Sequence, residues 1–220
     1  MKIKVAISSN INFYKNTFSL VTNSLIESGI ESKDILFVVN AANEEKCVEK
    51  NGINQVFVNN CCIELAPLLF VVEKEIESDY WFLMHDTCKV GKNFKNLLHN
   101  IPNSKPDVLA VRPFPSMNIG SYKYDFLLRN KAKLKSIRES NFSSERISYW
   151  KNWGVNNEDC FSWKGNGKTV VYNSTEKREI IENDNWFDTE TTRRTEYYYS
   201  LDFYKNKSNW GQSKNYTTSL

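Results

Sequence analysis

The segment YWFLMHDT at residues 80–87 carries an apolar run into a histidine, a carboxylate and a hydroxyl in succession. A run of this kind reads as a buried strand, so His85, Asp86 and Thr87 fall at its polar end. A carboxylate there suits a hard divalent cation. Mn²⁺ or Mg²⁺ held by one or two carboxylates can bridge the phosphates of a nucleotide diphosphate and neutralise the charge that grows as it departs. Asp86 is the candidate metal ligand, and its competing use, shared with Thr87, is to cap the helix that follows. A second pair, Glu158 and Asp159 within GVNNEDCFSW, offers carboxylates for activating an acceptor hydroxyl by general base catalysis, with Asp184 and Asp188 in NDNWFD as rivals. Trp150, Trp153, Trp163 and Trp186 lie in polar stretches without helical period, where rings stack on sugar faces or, more ordinarily, pack into a core. His99 reads as decoration of its own helix.

The elements that must position these groups follow from hydrophobic pattern. IKVAIS (residues 3–8) is a compact apolar run leading into polar SSNIN, as a buried parallel strand leads into a loop. Phe18, Val21, Leu25 and Ile26 recur at helical spacing, and Gly29 sits where that helix would stop. ILFVVN (35–40) and QVFVNN (55–60) read as further strands, and the apolar stretch 65–76 as a helix with Pro67 in its first turn. Strand 80–87, a short helix over 94–101 and the strand VLAVRP (108–113) complete an alternation that predicts an α/β fold with a mostly parallel central sheet and helices on both faces. In such sheets ligands bind outside the carboxyl ends of the strands, so SSNIN, the Asn40 loop, the Asn59-Asn60 loop and His85-Asp86-Thr87 are expected to open onto one crevice. Past Asn118 the pattern loosens into a basic helix-like stretch (126–140), Trp-rich loops, a hairpin at GNGKTVVY and TRRTEYYYSLDFYKNKSNWG. No internal repeat or linker divides the chain, so a single domain is expected, with residues 1–115 as its nucleotide-binding half and 116–220 as its sugar and acceptor half.

The segment YWFLMHDTCKVGKNF resembles the DxD region of GT-A-type nucleotide-sugar glycosyltransferases, in the variant form where histidine replaces the first acid. Together with SMNIGSYKYDFLL (116–128) it is similar to small glycosyltransferase domains encoded by large DNA viruses; the likeness spans roughly residues 1–130, and KNKSNWG (205–211) adds a weaker match. The resemblance implies a GT-A-like, Rossmann-like fold with a less regular C-terminal part. It implies transfer of a hexose from a nucleotide diphosphate sugar, UDP-hexose as donor, to a carbohydrate or glycoprotein acceptor. It places the nucleoside against Ser8, Ser9, Asn10 and Asn40, with His85 and Thr87 shaping the metal site. Asn118 and Gly120, in Met117-Asn118-Ile119-Gly120, would lie beneath the donor sugar, Asn118 bonding its hydroxyls and Gly120 letting backbone approach the ring. Lys205, Lys207 and Asn209, with Trp210 and Gly211, would form a loop or mobile lid over the diphosphate, its lysines meeting the charge on the departing phosphate. With one acid lost, His85 supplies at most a neutral nitrogen to a metal.

Other classes fit less well. A sugar-phosphate nucleotidyltransferase would need a glycine-rich loop after the first strand, and SSNINF has no glycine; no GxSxG elbow or GxxxxGK[ST] loop is present. A transferase relative that binds nucleotide or carbohydrate without turnover is the non-enzymatic alternative. With 29 basic and 26 acidic residues interspersed, the net charge of +3 gives no reason to expect a nucleic-acid partner. The 5 cysteines make neither a disulfide framework nor a CxxC site, which fits a reducing compartment, and no apolar run is long enough to span a membrane. A cytoplasmic location is expected, in the host cytoplasm if the chain is virus-encoded.

Overall fold

The structure, a computed structural model, describes residues 1–59, 63–139, 159–172, 178–181 and 192–208. Strand β1 (Ile3–Asn10) leads into helix α1 (Tyr14–Glu27), which ends as the sequence predicts at Gly29. With φ +94° Gly29 takes the left-handed conformation that closes a helix, its N–H bonding Ile26 O and the Ile30 N–H bonding Leu25 O. Then come β2 (Ile35–Asn40), β3 (Lys46–Lys50), β4 (Ile53–Phe57) and, after a single 3₁₀ turn (Ile63–Leu65), helix α2 (Ala66–Glu73) with Pro67 in its first turn. β5 (Tyr80–His85), β6 (Cys88–Val90), α3 (Phe94–Leu98), β7 (Val108–Ala110) and β8 (Gly120–Lys123) follow.

The main sheet has the order β3-β4-β2-β1-β5-β8-β7-β9, where β9 is Thr169–Val171. β4, β2, β1 and β5 are mutually parallel, β8 enters antiparallel between β5 and β7, and β9 returns parallel to β7. The fold is therefore mixed α/β around a mostly parallel sheet. β8, from the second half of the chain, lies inside a sheet built mainly by the first, so the two predicted halves interleave.

Both faces are covered, which is why β5 is apolar at nearly every position. Tyr80, Phe82 and Met84 pack with Phe18, Val21 and Leu25 of α1 and Phe94 and Leu98 of α3. Trp81 and Leu83 point the opposite way, into Leu68, Leu69 and Val72 of α2 and Phe126 and Leu127 of α4 (Tyr124–Arg129). Each of these fully buried side chains contributes about 1.5–3 kcal/mol of apolar burial.

Several expectations change. The helix over 126–140 is two, α4 and α5 (Lys131–Glu139), divided at Asn130, whose side-chain amide donates to Phe126 O at 2.8 Å. GNGKTVVY is not a hairpin: its strand β9 runs parallel to β7, a distant partner. The exposed edge strand β3 carried no pattern to announce it. The loosely patterned C-terminal part contains a second, antiparallel sheet of order β10-β11-β12-β6, with β10 Arg178–Ile181, β11 Thr192–Tyr198 and β12 Phe203–Ser208. Phe203 joins it to the first, meeting Phe82 at 5.8 Å between ring centroids. Among the described residues no helix is long and apolar enough to cross a membrane.

Candidate functional site

Parallel register brings the polar strand ends together. Ser8 is level with His85 across β1 and β5, and Asn10 with Asn40 across β1 and β2. The Asn40 amide donates to Ser8 Oγ (3.1 Å) and to the Ser9 carbonyl (2.8 Å), while the Asn10 carboxamide oxygen accepts from the Asn12 N–H (3.0 Å). Ser8, Ser9 and Asn40 are buried and bond to one another at the carboxyl edge of the parallel strands. Asn60 lies outside the described residues.

Asp86 continues this edge. Its N–H bonds Ser8 O at 2.9 Å, and its Oδ2 accepts hydrogen bonds from Ser9 Oγ and from Thr17 Oγ1 of α1, the latter at 3.0 Å. Burial pushes the Asp86 carboxyl above its ordinary value, against the opposing pull of those two hydroxyls and of the Lys205 charge.

Lys205 reaches the strand ends from the far end of the chain. β12 pairs with β6 so that Lys205 lies opposite Cys88, and the Asn206 N–H bonds Thr87 O at 2.9 Å. The buried Lys205 ammonium donates to Thr87 Oγ1 and sits 3.2 Å from His85 Nδ1. The expected lid is thus, at Lys205, a strand held in a sheet. Lys207 lies on the same strand, opposite Arg194, and Asn209, Trp210 and Gly211 lie outside the described residues.

An ammonium can only donate, so Nδ1 of His85 accepts and its proton belongs on Nε2. That nitrogen faces Oε2 of Glu64 at 3.7 Å, and Oε1 of Glu64 accepts from the Asn118 amide at 2.8 Å. Glu64, on the 3₁₀ turn beyond β4, escaped the sequence reading. The one signal was a lone acid in NNCCIELAPLL, just past a strand end on the ligand-binding edge. Arg112 and Glu196 escaped as well: Arg112, two residues past β7, lies 3.3 Å from the fully buried carboxylate of Glu196, which also accepts from the Tyr198 hydroxyl. Glu196 is level with Lys205 across β11 and β12.

Asn118 is buried at φ +55°, next to Met117 at +59°, a left-handed pair of non-glycine residues. Asp159 holds it there. The buried Asp159 carboxylate accepts from Ser116 N (2.5 Å), Ser116 Oγ (2.6 Å) and Asn118 N (2.7 Å), and the Tyr122 hydroxyl donates to Asn118 O at 2.7 Å. Asp159 is thereby a clamp on the 116–118 turn, with both oxygens engaged, where the sequence had offered it as a base. Glu158, Asp184, Asp188, Trp150, Trp153 and Trp186 lie outside the described residues. Gly120 has a packing reason of its own: a Cβ there would come 2.2 Å from the Leu109 carbonyl oxygen on β7. His99, just after α3, stands apart from the site, its pKa lowered by burial and then by Lys95.

The arrangement suits a resident ammonium better than a divalent ion. The Nδ1 lone pair of His85 faces the Lys205 ammonium and Nε2 carries the proton, so with Lys205 in place neither ring nitrogen offers a lone pair to a metal, and the ammonium stands where a metal would stand on an imidazole whose other N–H points to a carboxylate. One Asp86 oxygen is committed to two hydroxyls. A divalent ion about 4 Å from the ammonium would be repelled by roughly 8 kcal/mol at an effective dielectric constant of about 20. No protein-family model matches the chain, and no curated protein matches it at a significant level.

Proposed function

We propose that the chain is a glycosyltransferase that takes a hexose from a nucleotide diphosphate sugar, UDP-hexose by resemblance, and passes it to a hydroxyl of a carbohydrate or glycoprotein. What supports the reading is one juxtaposition. At the carboxyl edge of the parallel strands, where α/β sheets bind ligands, the Lys205 ammonium lies against His85 and Thr87, and His85 faces Glu64, which is bonded to Asn118. A cation and a line of hydroxyl-binding groups in one crevice suit a ligand that is anionic at one end and a sugar at the other.

In the transfer, the bond between the anomeric carbon and the diphosphate oxygen breaks, a bond to the acceptor oxygen forms, and the acceptor proton passes to the departing diphosphate. Lys205 would meet the charge appearing on the diphosphate. Glu64 would accept a hydrogen bond from a sugar hydroxyl, and the Asn118 turn, set by Asp159, would shape the floor. The engagement of Asp159 and Asn118 with each other supports a second reading, a domain that binds the donor without turning it over.

A thermal-shift panel of nucleoside diphosphates and nucleotide-sugars, followed by assay of nucleoside diphosphate release with mixed glycan acceptors, tests both. A ligand at about 100 times its Kd stabilises by about 2.7 kcal/mol, which a melting curve registers. A shift with one diphosphate family plus release supports the transferase, a shift without release supports the binder, and no shift with any nucleotide rejects both.

A further inference from the structure

We infer that the Lys205 ammonium occupies the place a divalent cation would take, so that this site handles its diphosphate without a metal; the inference rests on the nucleotide-sugar reading above. Three observations converge on it. The ammonium is placed by backbone, since Lys205 pairs with Cys88 and the Asn206 N–H bonds Thr87 O at 2.9 Å, fixing the strand immediately behind His85-Asp86-Thr87. It is buried and lodged between the Thr87 hydroxyl and His85 Nδ1, 3.2 Å away, two of the groups that the resemblance to GT-A-type transferases would put around a metal. The remaining candidate ligand, Asp86, is turned to Ser9 and Thr17.

An ammonium has three donors. Thr87 and His85 account for two, and the third suits an oxygen of a bound diphosphate. Glu196 is level with Lys205 on the neighbouring strand and lies 3.3 Å from Arg112. His85 therefore does not replace a lost acid as a metal ligand. It accepts from the ammonium and passes its own N–H toward Glu64, so the histidine and the lysine belong together.

The test is calorimetric titration of the full chain with UDP and UDP-hexoses, or with the diphosphate that binds in the panel, once in EDTA and once with Mn²⁺ or Mg²⁺. The expected Kd is the same in both within about threefold. Lys205→Met is expected to weaken diphosphate binding by at least about thirtyfold while nucleoside binding changes little, and Lys205→Arg to retain part of the affinity. Far-UV circular dichroism and melting curves establish that each variant is folded, and titration of the unsubstituted chain decides the question without them. Binding that falls more than about tenfold in EDTA and returns with metal overturns the inference and leaves the nucleotide-sugar reading standing. Absence of nucleotide binding in both conditions overturns that reading and the inference with it.

Discussion

Replacing Asp159 by alanine should unfold the 116–118 turn from its present shape and cost the whole molecule stability. The carboxylate accepts hydrogen bonds from Ser116 N at 2.5 Å, Ser116 Oγ at 2.6 Å and Asn118 N at 2.7 Å. Both residues are buried, so their N–H groups would find no ready substitute in water. Each buried donor left without an acceptor costs about 1–3 kcal/mol, and Met117 and Asn118 keep left-handed backbone only while something outside them imposes it. Removing a buried carboxylate also removes its desolvation cost, which offsets part of the loss. The net expectation is about 3–5 kcal/mol for Asp159→Ala, and about 2 kcal/mol for Asp159→Asn, which keeps one acceptor but turns an amide N–H₂ toward a donor. In urea, with a slope of about 2 kcal/mol per molar, the alanine variant should unfold at a midpoint lower by about 1.5–2.5 M. Unfolding followed by circular dichroism and by tryptophan fluorescence reads this directly. The reasoning is refuted if Asp159→Asn is as stable as the unsubstituted chain within about 0.5 kcal/mol yet loses turnover of a nucleotide-sugar, for Asp159 would then be acting as a base.

Gly120→Ala should destabilise by about 1–3 kcal/mol, because the added Cβ meets backbone, not a flexible side chain. The Leu109 carbonyl oxygen would be 2.2 Å away and Ala110 Cα 3.0 Å away, so β7 and β8 must part; calorimetry showing an unchanged melting temperature would remove this packing reason. Asp86→Asn should change how stability depends on pH. The folded-state pKa of Asp86 is raised by burial, so the folded chain binds the proton more tightly than the unfolded one. The stability this supplies is fully present below the ordinary aspartate value and is lost as pH rises through the raised folded value. Asp86→Asn should lack that decline and match or exceed the unsubstituted chain at neutral pH. Melting curves across acid to neutral pH check it, and an Asn variant clearly less stable at neutral pH would mean that the ionised carboxylate is needed.

The strands that set the site were readable because they are buried on both faces: ILFVVN and YWFLMH are apolar at almost every position, a pattern only a covered parallel sheet demands. Their polar ends were readable for the same reason, since parallel strands share one carboxyl edge. β3 was not, because all five of its residues are exposed and nothing in KCVEK alternates. Nor was the second sheet, whose β12 finds its partner at Cys88–Val90, a pairing set by the tertiary fold and carried by no local signal. Within the site, Asp86 and Lys205 were singled out from sequence, but what each one touches was not. Thr17 lies on the helix after β1, and Glu64 lies on a turn between elements, so neither announces that it meets Asp86 or His85. Asp159 shows the complementary failure: a carboxylate among aromatics looks like a base until three donors are found on it.

The pairing of β12 with β6 has a consequence for how the protein comes into being. His85 and Lys205 are 120 positions apart, so a chain emerging from the ribosome completes the parallel wall, its helices and the Asp86 pocket well before the ammonium that fills their rim has been made. Until the second sheet zips onto residues 88–90, the nascent domain would hold a carboxyl-lined edge with no cation of its own. Competence to receive an anion therefore arrives as a late act of assembly. β12 delivers the charge, so breaking its ladder locally would disarm the site while leaving the main sheet intact.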